Sequence, residues 1–137
     1  MSEAIKVRKK VIREKAIIAI YQYLMESNDR TDVINNLVND PSLKNREHEI
    51  NDALFLVENT LGNFRDYQVL IKQNLKPGWT IKRLSKMELA IMLIGVCEIV
   101  TNTTPKTVVI NEAVNIAKKY CDDDSYKFIN GVLNQIG

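Results

Sequence analysis

The sequence predicts an all-α fold of about seven helices, and three observations carry that expectation. Apolar residues recur at three- and four-residue spacing along almost the whole chain. No run alternates with period two over more than a few residues, as strands with one wet face do. Glycine and proline number only 5 and 3 in 137 residues, too few to punctuate a sandwich or a barrel.

The first helix is expected from about Ile5 to Glu26, with Ile12, Ala16, Ala19, Ile20, Tyr23 and Leu24 on its inner face. Ser27-Asn28-Asp29 interrupts it, and Asp29 or Thr31 can cap a short second helix carrying Val33, Ile34, Leu37 and Val38. After the break at Asn39-Asp40-Pro41-Ser42, a third helix from about Asn45 to Asn59 presents Ile50, Ala53, Leu54 and Val57. Gly62 separates it from a fourth, which runs to Leu75 with Phe64, Tyr67, Leu70 and Ile71 turned inward. Lys76-Pro77-Gly78 is the clearest interruption and divides a single domain, 1–137, into helical halves of about 1–76 and 77–137.

A short turn over Thr80 to Ser85 leads into Leu89–Val100, twelve residues with one charge, Glu98. Such a segment is buried nearly all round and is too short to span a bilayer. Thr104 as cap and Pro105 at the first helical position start the next helix. It turns Val109, Ile110, Ala113, Val114 and Ala117 inward and Asn111, Glu112, Asn115, Lys118 and Lys119 outward. Asp122-Asp123-Asp124-Ser125 opens the last helix, where the aspartates are placed to cap its N-terminus. Phe128 or Ile129, with Val132, Leu133 and Ile136, forms its buried side.

Hydrophobic residues at 45% and charged residues at 26% are the proportions of an ordinary globular domain. A chain of this length buries roughly two-thirds of its unfolded surface and needs no disulfide or metal staple. Cys97 and Cys121 lie 24 residues apart without a pairing or CxxC pattern, which fits a reducing compartment. The basic N-terminus has no apolar stretch behind it and does not read as a secretory signal. A soluble cytoplasmic protein with no membrane partner is expected. Catalysis finds little support, because His48 is the only histidine and no glycine-rich phosphate loop or nucleophile elbow is present. No catalytic residue, metal ligand or cofactor is expected.

Charge distribution is more informative than the net +2. Residues 1–15 hold six bases (Lys6, Arg8, Lys9, Lys10, Arg13, Lys15) against two acids (Glu3, Glu14), or +4, so the rest sums to −2. At roughly 100° per residue, Lys6, Lys9, Lys10 and Arg13 fall within about a 100° arc. This stripe bordering the core face suits the phosphates of an extended strand, or else only keeps one end solvated. A second candidate is Lys118 to Gly131, where Lys118, Lys119 and Lys127 alternate with aromatics. Lys127, Phe128 and Asn130 offer a phosphate contact, a stacking face and a base-edge contact. Alternatively Phe128 belongs to the core, Asn130 is an ordinary surface residue, and Gly131 lets two helices approach. The aspartates repel phosphate unless their charge is spent on the helix cap. Packing the first helix beside the last would merge the two candidates into one track for single-stranded RNA.

Five blocks, in order, resemble the bacterial NusB family. They are Arg13-Glu14-x-Ala16-x-x-Ala19-Ile20-Tyr21-Gln22, Trp79-x-x-x-Arg83-Leu84, Glu88-Leu89-Ala90-Ile91, Val109-Ile110-Asn111-Glu112-Ala113-Val114-x-x-Ala117-Lys118-Lys119, and Asp124-Ser125-x-Lys127-Phe128-Ile129-Asn130-Gly131-Val132-Leu133. The resemblance covers essentially the whole chain and implies two small helical bundles set against each other. It implies a transcription antitermination factor without enzymatic activity, which pairs with the ribosomal protein NusE. The pair binds boxA-type single-stranded RNA in nascent ribosomal RNA and, with other Nus factors, keeps RNA polymerase from terminating early. By motif match it assigns RNA contacts to Lys9, Lys10 and Arg13, and to Asp124, Lys127 and Phe128. It puts the protein partner on the C-terminal half, around Glu88, and leaves open whether the chain forms a homodimer. The sequence departs from the pattern in its lysine-led N-terminus, since lysine lacks the bidentate fork of arginine. It also departs at Ile91-Met92-Leu93 and Cys97-Glu98-Ile99, where relatives often read Ile-Leu-Arg and Tyr-Glu-Leu. Two alternatives remain: a helical protein–protein adaptor, and an RNA-binding domain like that of ribosomal RNA cytosine methyltransferases.

Overall fold

The computed structural model describes residues 3–25 and 28–137, with side chains from Arg8 onward. Helix α1, Glu3–Leu24, buries Ile12, Ala16, Ile17, Ala19, Ile20 and Leu24. Ile17 is the addition that matters. At about 100° per residue it lies only about 40° round the helix from Arg13. The true apolar face is therefore turned toward Arg13, which is 6% exposed instead of lying on an outward stripe.

Helix α2, Arg30–Val38, begins at a reciprocal cap. The Asp32 N–H donates to Asp29 Oδ1 at 2.8 Å, and the Asp29 N–H donates to Asp32 Oδ2 at 3.2 Å. Val33 and Leu37 are buried, while Val38 is exposed. A 3₁₀ turn at Pro41–Leu43 follows, started by Asp40, which accepts from the Ser42 N–H at 2.9 Å. Lys15 Nζ lies 2.7 Å from Asp40 Oδ2 and fastens this turn to α1. Helices α3, Glu47–Gly62, and α4, Phe64–Gln73, meet at Asn63, whose side-chain amide donates to the Asn59 carbonyl at 2.9 Å. Tyr67 and Ile71 are buried, and Phe64 packs edge-on against Tyr23 with centroids 5.4 Å apart.

Helix α5, Lys86–Thr101, is buried from Leu89 through Glu98 and packs against α1, α3, α4, α6 and α7. Each fully buried Leu or Ile here contributes about 1.5–3 kcal/mol over the same side chain in water. The helix ends at Asn102, in the left-handed region at φ 56°. Helix α6, Lys106–Tyr120, opens at Pro105, which occupies the N-cap and not the first turn. The Pro105 carbonyl already accepts from the N–H groups of Val108 and Val109, and no side chain caps this end, so Thr104 is not the expected cap.

Helix α7, Ser125–Asn134, buries Ile129, Val132 and Leu133, with Ile136 beyond its end, and leaves Phe128 half-exposed. Of the two candidate core residues, Ile129 is the one inside. The close helix approach expected at Gly131 occurs at Gly95 instead. A Cβ there would meet Leu133 Cδ1 at 3.1 Å and Cδ2 at 3.2 Å, whereas Gly131 faces open space. Helix α7 packs chiefly on α6 and α5, and α1 on α2, α3 and α5, so the first and last helices are not the side-by-side pair expected. No helix among the described residues is long and apolar enough to cross a membrane.

Candidate nucleic-acid interface

A tight turn sets up the main surface. The Trp79 N–H donates to the Lys76 carbonyl at 3.0 Å, with Pro77 second and Gly78, at φ +88°, third. Those are the residues a type II turn requires, and a side chain at position 78 would strain it. The turn carries Trp79 onto Phe128, with ring centroids 5.5 Å apart and planes 30° apart. Arg83, one turn further on, sits 5.2 Å from the Trp79 ring and makes a long 3.4 Å contact with the Gly78 carbonyl. Trp79 remains 44% exposed, so the stacked pair keeps an open face.

The pair borders a groove of about 1070 Å³ running from Asn74 to the start of α7. Its cations are Lys76, Arg83 and Lys127, and its acids are Glu88, Asp122, Asp123 and Asp124. Glu88 is held from two sides: Oε1 accepts from the Ser85 N–H and Oε2 from the Ser125 hydroxyl, both at 2.8 Å. It therefore joins the first turns of α5 and α7 and shares the groove with Phe128. Cys121 also lines it, and burial, with the charges of Glu88 and Asp122, pushes its thiol up to about 11. It stays protonated at neutral pH and is no nucleophile.

Asp124 stands at the N-cap of α7 but makes no side-chain cap. Its backbone is helical, at φ −96° and ψ −4°, whereas a capping residue needs an extended backbone to aim its oxygen at the first turn. The expected neutralisation of the aspartates by the helix end is thus absent at Asp124. Its carboxylate is 93% exposed and lies 3.8 Å from Lys127 Nζ. Lys118 and Lys127 approach the Tyr126 ring at 4.7 and 5.9 Å. Lys119 lies 5.0 Å from the Tyr120 ring and pairs with Glu14 of α1 at 3.1 Å.

That Glu14–Lys119 contact is what joins the two basic segments. On α1, Lys9 and Lys10 are exposed, while the side chain of Lys6 lies outside the described residues. Arg13 Nε and Nη2 donate to Glu98 Oε1 and Oε2 at 2.6 and 2.8 Å. Burial opposes the Arg13 charge, but the Glu98 hydrogen bonds and charge, helped by Glu112, hold its pKa above the ordinary value. Arg13 thus faces α5 and offers nothing outward. Asn130 does not line the groove, and its Oδ1 accepts from the Asn134 amide at 2.6 Å. Sequence reasoning gave no role to Trp79, Arg83 or Tyr126. The four-residue Trp–Arg spacing directly after a Pro-Gly turn was the available signal for the first two.

The helical fold is shared with solved structures of the antitermination factor NusB. It superposes with a TM-score of 0.81 on a chain in the crystal structure of antitermination factors NusB and NusE in complex with dsRNA, at 24% identity over 93% of this chain and 94% of that one. It also matches a chain in the crystal structure of a plectonemic RNA supercoil (TM-score 0.82, 26% identity, 93% and 92% covered). The solution structure of NusB from Aquifex aeolicus gives 0.76, with 26% identity and 93% and 85% covered. Residues 10–137 match the NusB family, and the chain belongs to that family. It is 34% identical over 124 residues to transcription antitermination protein NusB of Wolinella succinogenes, covering 90% of each chain. The Ruminiclostridium cellulolyticum protein of the same name is 35% identical over 127 residues, 90% of this chain and 84% of that one. The Staphylococcus epidermidis protein is 44% identical over 75 residues, and the chain spans 58% of that relative's length.

Proposed function

We propose that this protein is a non-catalytic transcription antitermination factor of the cytoplasm. With the ribosomal protein NusE it binds boxA-type single-stranded RNA in nascent ribosomal RNA, and with other Nus factors it helps RNA polymerase read through terminators. The observation that carries this reading is the half-open Trp79–Phe128 stack beside Lys127, continued by Lys118 and Lys119 toward α1. Stacked aromatics next to lysines suit a strand whose bases are unpaired, because each base has a face to offer and each phosphate a charge. Lys9 and Lys10 extend the positive end; Arg13 positions α1 and contacts no RNA. Membership of the NusB family and the fold shared with a chain from an RNA-containing crystal support the same partner class.

Phosphate contacts supply affinity and the aromatic face supplies base preference. The acids at the mouth of α7 keep binding by the protein alone modest, and a docked NusE lengthens the track. Trp79 is the only tryptophan, so its emission reports on this groove alone. Titrating a boxA-like strand, with and without NusE, should quench Trp79 and give tighter binding with NusE present. An adaptor that contacts only protein leaves the emission unchanged by RNA in both cases.

A further inference from the structure

We infer that a second, smaller cleft, between α1, α3 and the end of α5, takes one unpaired base of the same RNA strand. The inference rests on the RNA-binding reading above and extends it to the other flank of the first helix. The cleft measures about 220 Å³. That is below the roughly 300 Å³ at which drug-sized pockets begin, and it suits a single planar ring. Phe55 forms one wall and is 44% exposed, an aromatic face without a ring partner among the described residues. Lys9 and Asp52 stand at the opening, and neither forms an ion pair among the described residues. The Arg13–Glu98 pair lies beneath, each partner's charge already answered by the other.

The three free groups match the three parts of a nucleotide. Phe55 offers a stacking face, Lys9 meets a phosphate, and Asp52 accepts a hydrogen bond from an exocyclic amine. Adenine, cytosine and guanine carry such an amine, whereas uracil's one ring N–H is flanked by two carbonyl oxygens that repel a carboxylate, so the cleft disfavours uridine. An apolar peptide side chain would use Phe55 and leave both charges stranded. The position is continuous with the main surface. At about 100° per residue, Lys10 lies about 40° round the helix from Glu14, which holds Lys119, and Lys9 lies about 100° beyond it. A strand leaving Lys119 therefore crosses the exposed end of α1 and arrives at Lys9 and Phe55.

The test is fluorescence anisotropy on the full chain with three labelled strands: a boxA-like core alone, the core flanked on both sides by adenosines, and the core flanked by uridines. Wild type should bind the adenosine-flanked strand tightest. Phe55→Ala should lose about fivefold or more on that strand only, and Phe55→Tyr should keep the affinity. Asp52→Asn, at an exposed position, should abolish the preference for adenosine over uridine, and it serves if Phe55→Ala melts early. Equal binding of the adenosine-flanked strand by wild type and Phe55→Ala overturns the inference. If Phe128→Ala then still weakens all three strands, the RNA reading stands and only the cleft falls. If wild type binds none of the three, both fall. A Phe55→Ala defect confined to pairing with NusE assigns the cleft to protein and also overturns it.

Discussion

Arg13 and Glu98 stand 85 positions apart in sequence and meet in a two-bonded ion pair, with side chains only 7% and 3% exposed. Glu98 is the one charge in the apolar stretch Leu89–Val100, and Arg13 is the one base of the N-terminal cluster, among those whose side chains are described, that is buried. Each explains the other. Removing either partner strands a buried charge, which costs about 3–5 kcal/mol. Urea unfolding of Arg13→Ala or Glu98→Ala should show a loss of that size. The double variant Arg13→Met/Glu98→Leu should recover most of it, because apolar side chains of similar volume remove both desolvation costs.

Phe128→Ala should weaken binding to a boxA-like strand by about 1–3 kcal/mol, the usual worth of one stacked base. Ile129, not Phe128, anchors α7 in the core, so the melting temperature should fall only slightly. Measuring both separates lost stacking from a loosened helix.

Asp124 is free of the capping duty that would fix its charge. Asp124→Asn should tighten RNA binding by up to about fivefold, the Coulomb repulsion of one charge near a phosphate in water. Stability should be unchanged. Weaker binding would mean that the carboxylate itself contacts the RNA.

Salt reads the number of phosphates engaged. With Arg13 turned inward, Lys9, Lys10, Lys118, Lys119 and Lys127 remain among the residues whose side chains are described, and about five contacts to a single strand give a slope of log affinity against log salt near −3.5. A slope near zero removes the electrostatic track.

Asp40 gives the molecule an acid-sensitive joint. Burial is the largest single influence and raises its pKa, but the hydrogen bonds from Lys15 and Ser42 and the Lys15 charge together outweigh it and hold the carboxyl below the ordinary 3.8. A lowered folded value means that the contribution is complete above about pH 4 and vanishes as pH falls through the folded value. Thermal melts from pH 6 to pH 2 should therefore show a steeper acid loss for wild type than for Asp40→Asn.

Much of the fold was legible because periodicity records burial directly. The seven helices fall near their expected places and the buried α5 was readable from residue type alone, while of the two candidate caps for α2, Asp29 and Thr31, it is Asp29 that caps. Arg13 was misplaced for a physical reason. Omitting Ile17 swung the apolar face away from Arg13, and no local pattern says that the charge on a distant apolar helix is its partner. The groove was half-legible: Lys127 and Phe128 stood out, but Trp79 reaches Phe128 only through the turn at Gly78, a pairing across 49 positions that spacing does not reveal.

Helix α5 touches every other helix except α2 among the principal packing pairs, and it has no wet side from Leu89 to Glu98. A rod of that kind has no stable existence alone, so its neighbours must assemble around it together. Severing the chain at the Pro77–Gly78 bend would yield not two working pieces but two greasy fragments, and unfolding of the intact molecule should proceed as one event.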